Sequence, residues 1–352
     1  MSDFFQRFTT RQTYTKQAQQ LAIQSIDMHT GGEPLRVILS GYPQIKASSL
    51  LDYREVLQAD YDHLRTALMF EPRGHADMYG CLILPPFNPK ADCSAIFMHN
   101  EGYSNMCGHA VIAIMTLAMQ MQWVEITDNR ASMTIEAPCG LISASGVIEN
   151  GKINASFECV PSFVTTLNQS IQIPGTAQTI EYDIAFGGAF YAYVDAAKLS
   201  MPLTPDNTQQ IIQMGRAIKQ AVKQSPQFLN HPFETRLNEL YGTIFIAPVE
   251  SSQIHSRNVC IFADGELDRS PTGSGVSGRV AILAAKGELQ VNQPIVIESL
   301  IGSSFTVEII KIQGYGDYQA VIPKVTGNAY VCGKNEWIID AKDPFAQGFL
   351  LR

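Results

Sequence analysis

Cys107 and His109 stand two residues apart in NMCGHA (105–110), at the head of an apolar run. A cysteine at a helix N-terminus has its thiol pKa lowered from about 8.5, in places to about 3.5–7.5, which makes it a base or nucleophile near neutrality. The plain alternative is a small buried residue, the fate of most free cysteines. DRSPTGSGVSGR (268–279) leads into a second apolar run in the same manner. There Thr272 stands where the first has Cys107, and Gly273 where it has Gly108; the two positions are 165 residues apart, nearly half the chain. A threonine hydroxyl donates and accepts hydrogen bonds, but no neighbour in sequence would ionise it.

Two helix N-termini facing one cleft would gather free N–H groups and positive partial charge around a small anion. A carboxylate is the natural occupant. Each dipole contributes about 0.3–1 kcal/mol, up to about 2 when partly buried. Losing one donor that serves a transition state costs about 2.7–4 kcal/mol. Removing the proton beside a carboxylate builds such charge, because the carbanion delocalises into an aci-carboxylate dianion. The pattern therefore points to α-carbon acid chemistry on an amino or hydroxy acid, with Cys107 as the base. Inverting a stereocentre with two bases needs an acid on the far face, and that face carries Thr272. One-sided deprotonation finds its exit by expelling a group from the β-carbon, which is elimination.

Other chemistries weigh less. Gly273–Gly278 fits the spacing GxGxxG, but the dinucleotide fingerprint needs a strand running straight into the turn. Here the expected strand ends near Phe262, with polar linker between. A cysteine hydrolase would want a separate histidine and an orienting Asn or Asp, and no motif marks them. A silent amino-acid-binding protein is the remaining alternative. His109 follows Cys107 closely enough for ligand contact, against a capping or core role. Asp268 has the alternative of capping its turn. Glu33, Arg36 and Glu71-Pro72-Arg73 read as structural ion pairs or turn residues, and His29, His75 and His99 as structural. No metal-ligand spacing appears.

The elements that would position these residues are mostly short β-like runs broken by Gly, Pro and Asn. Strands are expected at Arg36–Leu39, Tyr79–Leu84, Ser94–Met98, Ser132–Glu136, Leu141–Val147 and Lys152–Glu158. A second set is expected at Phe190–Val194, Thr243–Pro248, Asn258–Phe262, Ile295–Ser299, Phe305–Ile312 and Tyr318–Pro323. Two helices, 107–122 and 272–287, are apolar around the whole circumference and should be wrapped by strands. Residues 206–224 read as an amphipathic surface helix. The economical architecture is α+β: two pseudo-symmetric lobes, each a rolled sheet or barrel around one central apolar helix. Residues 1–20 are expected as a flexible polar tail, with an organellar presequence as the alternative. The first lobe is expected over 21–183, with 330–352 packing back on it, and the second over 184–329.

Composition sets the outer bounds. The 352 residues are 45% hydrophobic and 16% charged, with a formal net charge of −8. An acidic chain without a Lys/Arg cluster argues against nucleic-acid binding. The longest apolar run, Val111–Met121, is too short to span a membrane. Seven cysteines without a CxxC pair suggest free thiols and a reducing, cytoplasmic setting.

Four motifs carry a resemblance to a known family: MHTGGEPLRVI (28–38), EPRGHADMYG (71–80), NMCGHA (105–110) and DRSPTGSGV (268–276). They extend over most of the chain and resemble, in order, those of the proline racemase family. The resemblance implies a diaminopimelate-epimerase type of fold, no metal or organic cofactor, and often a homodimer. Family racemases and epimerases carry cysteine at both helix entrances, whereas this sequence has Thr272 at the second. That departure resembles the branch that dehydrates trans-3-hydroxy-L-proline, with 4-hydroxyproline epimerisation or proline racemisation as the alternative. The resemblance also implies that Gly108, His109, Gly273 and Ser274 line the substrate's carboxylate and ring, and that Asp268 holds its ring nitrogen.

Overall fold

The structure, a computed structural model, describes residues 3–11, 13–173, 178–224 and 228–351, the side chains of residues 3–5 excepted. Helix α1 (Asp3–Thr10) lies in the segment expected as a tail, and the described residues from 13 to 19 are exposed. Strands β1 (Gln20–Thr30) and β2 (Glu33–Ser40) lead to helices α2 (Leu50–Asp60) and α3 (Asp62–Met69). Then come β3 (Tyr79–Leu84), β4 (Cys93–His99), β5 (Tyr103–Ser104), α4 (Gly108–Gln120), β6 (Arg130–Ala137), β7 (Gly140–Glu149) and β8 (Lys152–Glu158). The second half carries β9 (Ser162–Gln172), β10 (Thr179–Phe186), β11 (Phe190–Asp195), α5 (Thr208–Val222), β12 (Leu240–Ala247) and β13 (Ser256–Phe262). It ends with β14 (Glu266–Leu267), α6 (Gly273–Ala285), β15 (Ile295–Glu298), β16 (Ser304–Tyr315), β17 (Tyr318–Gly327) and β18 (Ala329–Asp340).

The pairings draw two circuits. Strands β9 to β13, β15, β16 and β17 bond in succession, and β17 returns to β9 through Ala320–Phe163 and Val321–Ser162. That closes an eight-stranded barrel around α6. The other circuit runs β18–β1–β2–β3–β4–β6–β7–β8 and reaches the second half of β17, where Lys324–Gly327 face Glu158–Ala155. Asn328 carries β17 into β18 and completes the ring around α4. Each ring has two parallel pairs in matching places: β2–β3 and β4–β6 in one, β11–β12 and β13–β15 in the other. The fold is thus α+β, with two related lobes. Strand β9 and the greater part of β10, which lie within the span expected for the first lobe, bond into the second ring.

Both central helices are 13 residues long and almost wholly buried, because their apolar residues leave no polar face to turn toward water. Helices α2 and α3 cover the outer side of the first sheet, where Leu50, Tyr53, Leu57, Leu64 and Leu68 pack against Ile23, Ile38 and Ile96. Strand β18 lies against β1 from Gln20–Asp340 to Thr30–Ala329, and the Arg36 guanidinium sits 3.8 Å above the Trp337 ring. Arg36 also pairs with Asp27 at 2.8 Å, so it is structural, as the sequence suggests. Among the described residues no helix is long and apolar enough to cross a membrane.

Candidate active site

Helices α4 and α6 meet end to end across the two lobes. A Cβ added to Gly108 would lie 2.5 Å from the Gly273 Cα, and one added to Gly273 would lie 2.6 Å from the Gly108 Cα. Only glycine permits that approach. The helix caps are therefore neighbours: Cys107 caps α4 and Thr272 caps α6. Cys107 has extended backbone, whereas Thr272 has φ 67°, unusual for a β-branched residue and of order 1–3 kcal/mol in cost. The same glycine contact leaves no space for a pyrophosphate at Gly273, which removes the dinucleotide reading of the GxGxxG spacing.

Seven residues singled out in the sequence, Cys107, Gly108, His109, Asp268, Thr272, Gly273 and Ser274, line one cavity of about 20 Å³ between the lobes. Its remaining wall comes from Met106 and four aromatic residues, Tyr79, Tyr191, Tyr241 and Phe262. These four sit on strands at ordinary core positions, so sequence spacing gave no mark of them; Tyr79 alone falls inside one of the four motifs. Tyr191 shares a 2.7 Å hydrogen bond with the Ser274 hydroxyl, and Tyr79 packs edge-on against His109 with ring centroids 4.9 Å apart.

The Cys107 Sγ lies 3.1 Å from His109 Nδ1. Burial pushes the Cys107 thiol well up, against the lowering expected at a helix cap, and the polarity of the Ala110 backbone and the Tyr79 side chain only partly opposes the rise. Burial also holds His109 neutral, its pKa lowered to about 3. The His109 carbonyl accepts a 2.8 Å hydrogen bond from the Thr30 hydroxyl, which ties the first motif to the third.

On the opposite side, the Thr272 hydroxyl donates to Asp268 Oδ2 at 2.8 Å, and Asp268 Oδ1 accepts the Ser270 N–H at 2.7 Å. Asp268 thus braces its turn and also faces the cavity. Burial raises its pKa, while the Thr272 and Ser270 hydrogen bonds oppose the rise. Glu33, read from sequence as an ion-pair or turn residue, directly follows the Gly31-Gly32 turn, is wholly buried and accepts the Arg269 N–H at 2.7 Å, joining the lobes. Burial first, and Asp268 second, raise its pKa well above the carboxylate range.

A sequence profile described as Proline racemase matches residues 25–350. A trans-3-hydroxy-L-proline dehydratase from Colwellia psychrerythraea is 49% identical over 348 residues, covering 98% of this chain and 97% of that protein. A 3-hydroxyproline 2-epimerase from Burkholderia multivorans is 40% identical, covering 94% of this chain and 98% of that one. Among solved structures, a hydroxyproline epimerase from Agrobacterium vitis with bound trans-4-OH-L-proline superposes with a TM-score of 0.84 at 28% identity, over 94% of this chain and 96% of that one. With three of the four motifs lining one interlobe cavity, the first bonded to them through Thr30 and Glu33, and the profile spanning nearly the whole sequence, the chain belongs to the proline racemase family.

Proposed function

We propose that this protein is a hydro-lyase that converts trans-3-hydroxy-L-proline to Δ1-pyrroline-2-carboxylate. The observation that carries the reading is the asymmetry of the two helix caps: a thiol at Cys107 and an alcohol at Thr272, on one cavity. The dehydratase name of relatives up to 49% identical over nearly the full length supports it.

In trans-3-hydroxy-L-proline the hydroxyl lies opposite the carboxylate, hence on the ring face of the α-hydrogen. Cys107 takes that hydrogen as a proton, the C–H pair becomes the C2–C3 double bond, and the 3-hydroxyl leaves with a proton as water. The enamine acid then tautomerises to the cyclic imine. N–H groups at the heads of α4 and α6, with Gly108, His109, Gly273 and Ser274 around them, hold the carboxylate as it gains charge. Asp268 holds the ring nitrogen, and Thr272 orients substrate without exchanging a proton at carbon. The substrate's cationic nitrogen, arriving beside Cys107, offsets the burial that disfavours the thiolate. No metal or organic cofactor enters this scheme.

Incubation with trans-3-hydroxy-L-proline and o-aminobenzaldehyde, which traps the cyclic imine, tests the reading; the cis-3-hydroxy isomer should react poorly. Equal turnover of both isomers counts against it. An epimerase, the reading favoured by the name of the Burkholderia multivorans relative, would instead carry solvent deuterium into recovered substrate of inverted configuration. A homodimer and a cytoplasmic location belong to the same proposal. The seven free thiols among the described residues support the second, and light scattering tests the first.

A further inference from the structure

A second and much larger cavity, about 350 Å³, adjoins the catalytic one between the lobes. One wall is Arg54 on α2 with the loop around Asn105; the other is Lys219 on α5 with Tyr241. Tyr241 lines both cavities, stacked on Phe262 at 5.4 Å and with its hydroxyl 3.4 Å from that of Tyr79. Asn105 is two residues before Cys107. One aromatic side chain and a short piece of backbone therefore separate a space with room for a ring amino acid from one of about 20 Å³.

The charges in this vestibule are unbalanced. Arg216 is met by Asp264 at 3.2 Å, and Arg236 by Glu234 at 2.9 Å and by Asp52 and Glu55 at 3.4 Å. Arg54 and Lys219 have no carboxylate at ion-pair distance among the described residues. The Arg54 guanidinium donates to the Asn105 side-chain carbonyl, and the Lys219 ammonium to the Ala263 backbone carbonyl. Glu101 and Glu239 are the other acids in the wall, and Lys223 a further cation. Burial lowers Lys219 to about 8, and the neighbouring Lys223 charge adds to the fall, while Glu239 and Asp264 oppose it. Arg54 and Lys219 are thus two half-buried cations whose direct hydrogen-bond partners are neutral carbonyls, and each can take up an anionic partner in the cavity.

We propose that this vestibule is a docking site for small carboxylates, in which Arg54 and Lys219 hold an incoming imino acid by its carboxylate before Tyr241 admits it to Cys107. The identity of the imino acid rests on the dehydratase reading; the capture of carboxylates does not.

Alkylation of Cys107 by iodoacetate and by iodoacetamide, followed by peptide mass spectrometry, separates charge from access. In both reagents the Cys107 sulfur displaces iodide, but only one carries a carboxylate. The Arg54→Gln, Lys219→Gln double variant should slow iodoacetate relative to iodoacetamide by roughly 5–20-fold, within the range of electrostatic steering. About 0.5 M salt should remove most of that difference, since the Debye length then falls below the span of the cavity. Lys198→Gln, at an exposed pair with Glu181, should leave the ratio unchanged. If the double variant does not fold, Lys219→Gln alone is read in the same way. A ratio indifferent to these substitutions overturns the proposal. In turnover, kcat/KM for trans-3-hydroxy-L-proline should fall more than kcat in the variant. A native enzyme releasing no water from that substrate would defeat the dehydratase reading instead, and the alkylation ratio would still decide the vestibule.

Discussion

At the scale of single residues, the proposed function turns on two atoms, the sulfur of Cys107 and the hydroxyl oxygen of Thr272. Cys107→Ser replaces the thiol by an alcohol that does not ionise near neutrality. Water loss should fall by roughly 10²–10⁴-fold, the span of a lost acid–base group, while calorimetry still detects substrate binding. Comparable turnover in the variant would remove Cys107 from the chemistry. Thr272→Cys puts a thiol on the far face, and recovered substrate should then show solvent deuterium with some inversion at C2. A folded variant with untouched enantiomer composition would leave position 272 without the role given to it. The cavity residues at the two helix heads were legible because small residues, a cysteine and a histidine cluster there in the sequence. The thiol's environment was not legible: the helix-cap position is local, whereas the burial that opposes it is created by the other lobe.

Elements decide whether those atoms meet. The heads of α4 and α6 touch through Gly108 and Gly273, so Gly108→Ala forces a methyl to within 2.5 Å of the Gly273 Cα and 2.9 Å of the Phe157 ring. Overpacking of this kind costs about 1–3 kcal/mol, and thermal melting should show the loss together with a fall in turnover. An unchanged melting temperature would mean that the lobes part freely at this point. Strands such as Tyr79–Leu84 and Lys152–Glu158 were read from sequence at the bounds observed, since apolar runs end there at turn residues. Helices α2 and α3 were missed although Leu50, Tyr53 and Leu57 fall at helical spacing and are the residues α2 buries. Strand β9 was missed because polar residues in TTLNQSIQ (165–172) mask its alternation, and β10 was missed although Ile180, Tyr182, Ile184 and Phe186 alternate. Their membership of the second ring depends on pairing with the distant β17, which no local pattern encodes.

Across the whole molecule the lobes are joined by buried polar contacts, of which Glu33 to the Arg269 N–H is one. Burial raises the Glu33 pKa above its ordinary 4.5. Stability tied to its neutral form is therefore complete below about 4.5 and is lost as pH rises through the raised value. Glu33→Gln keeps an acceptor for Arg269 but cannot ionise. Its melting temperature relative to the native protein should climb as pH rises above about 4.5; a flat difference would show that the carboxyl is already charged in the fold.

One edge of strand β17 stays on β16 while the other is divided, its first half bonded to β9 and its second to β8, and β18 then returns to the start of the chain. A fragment ending near residue 160 would carry the thiol but leave β1 and β8 with bare edges, prone to sticking to other chains. The internal duplication thus cannot be undone by a single cut. Two separately synthesised halves should regain solubility only when made together, each lending the other the seam it lacks.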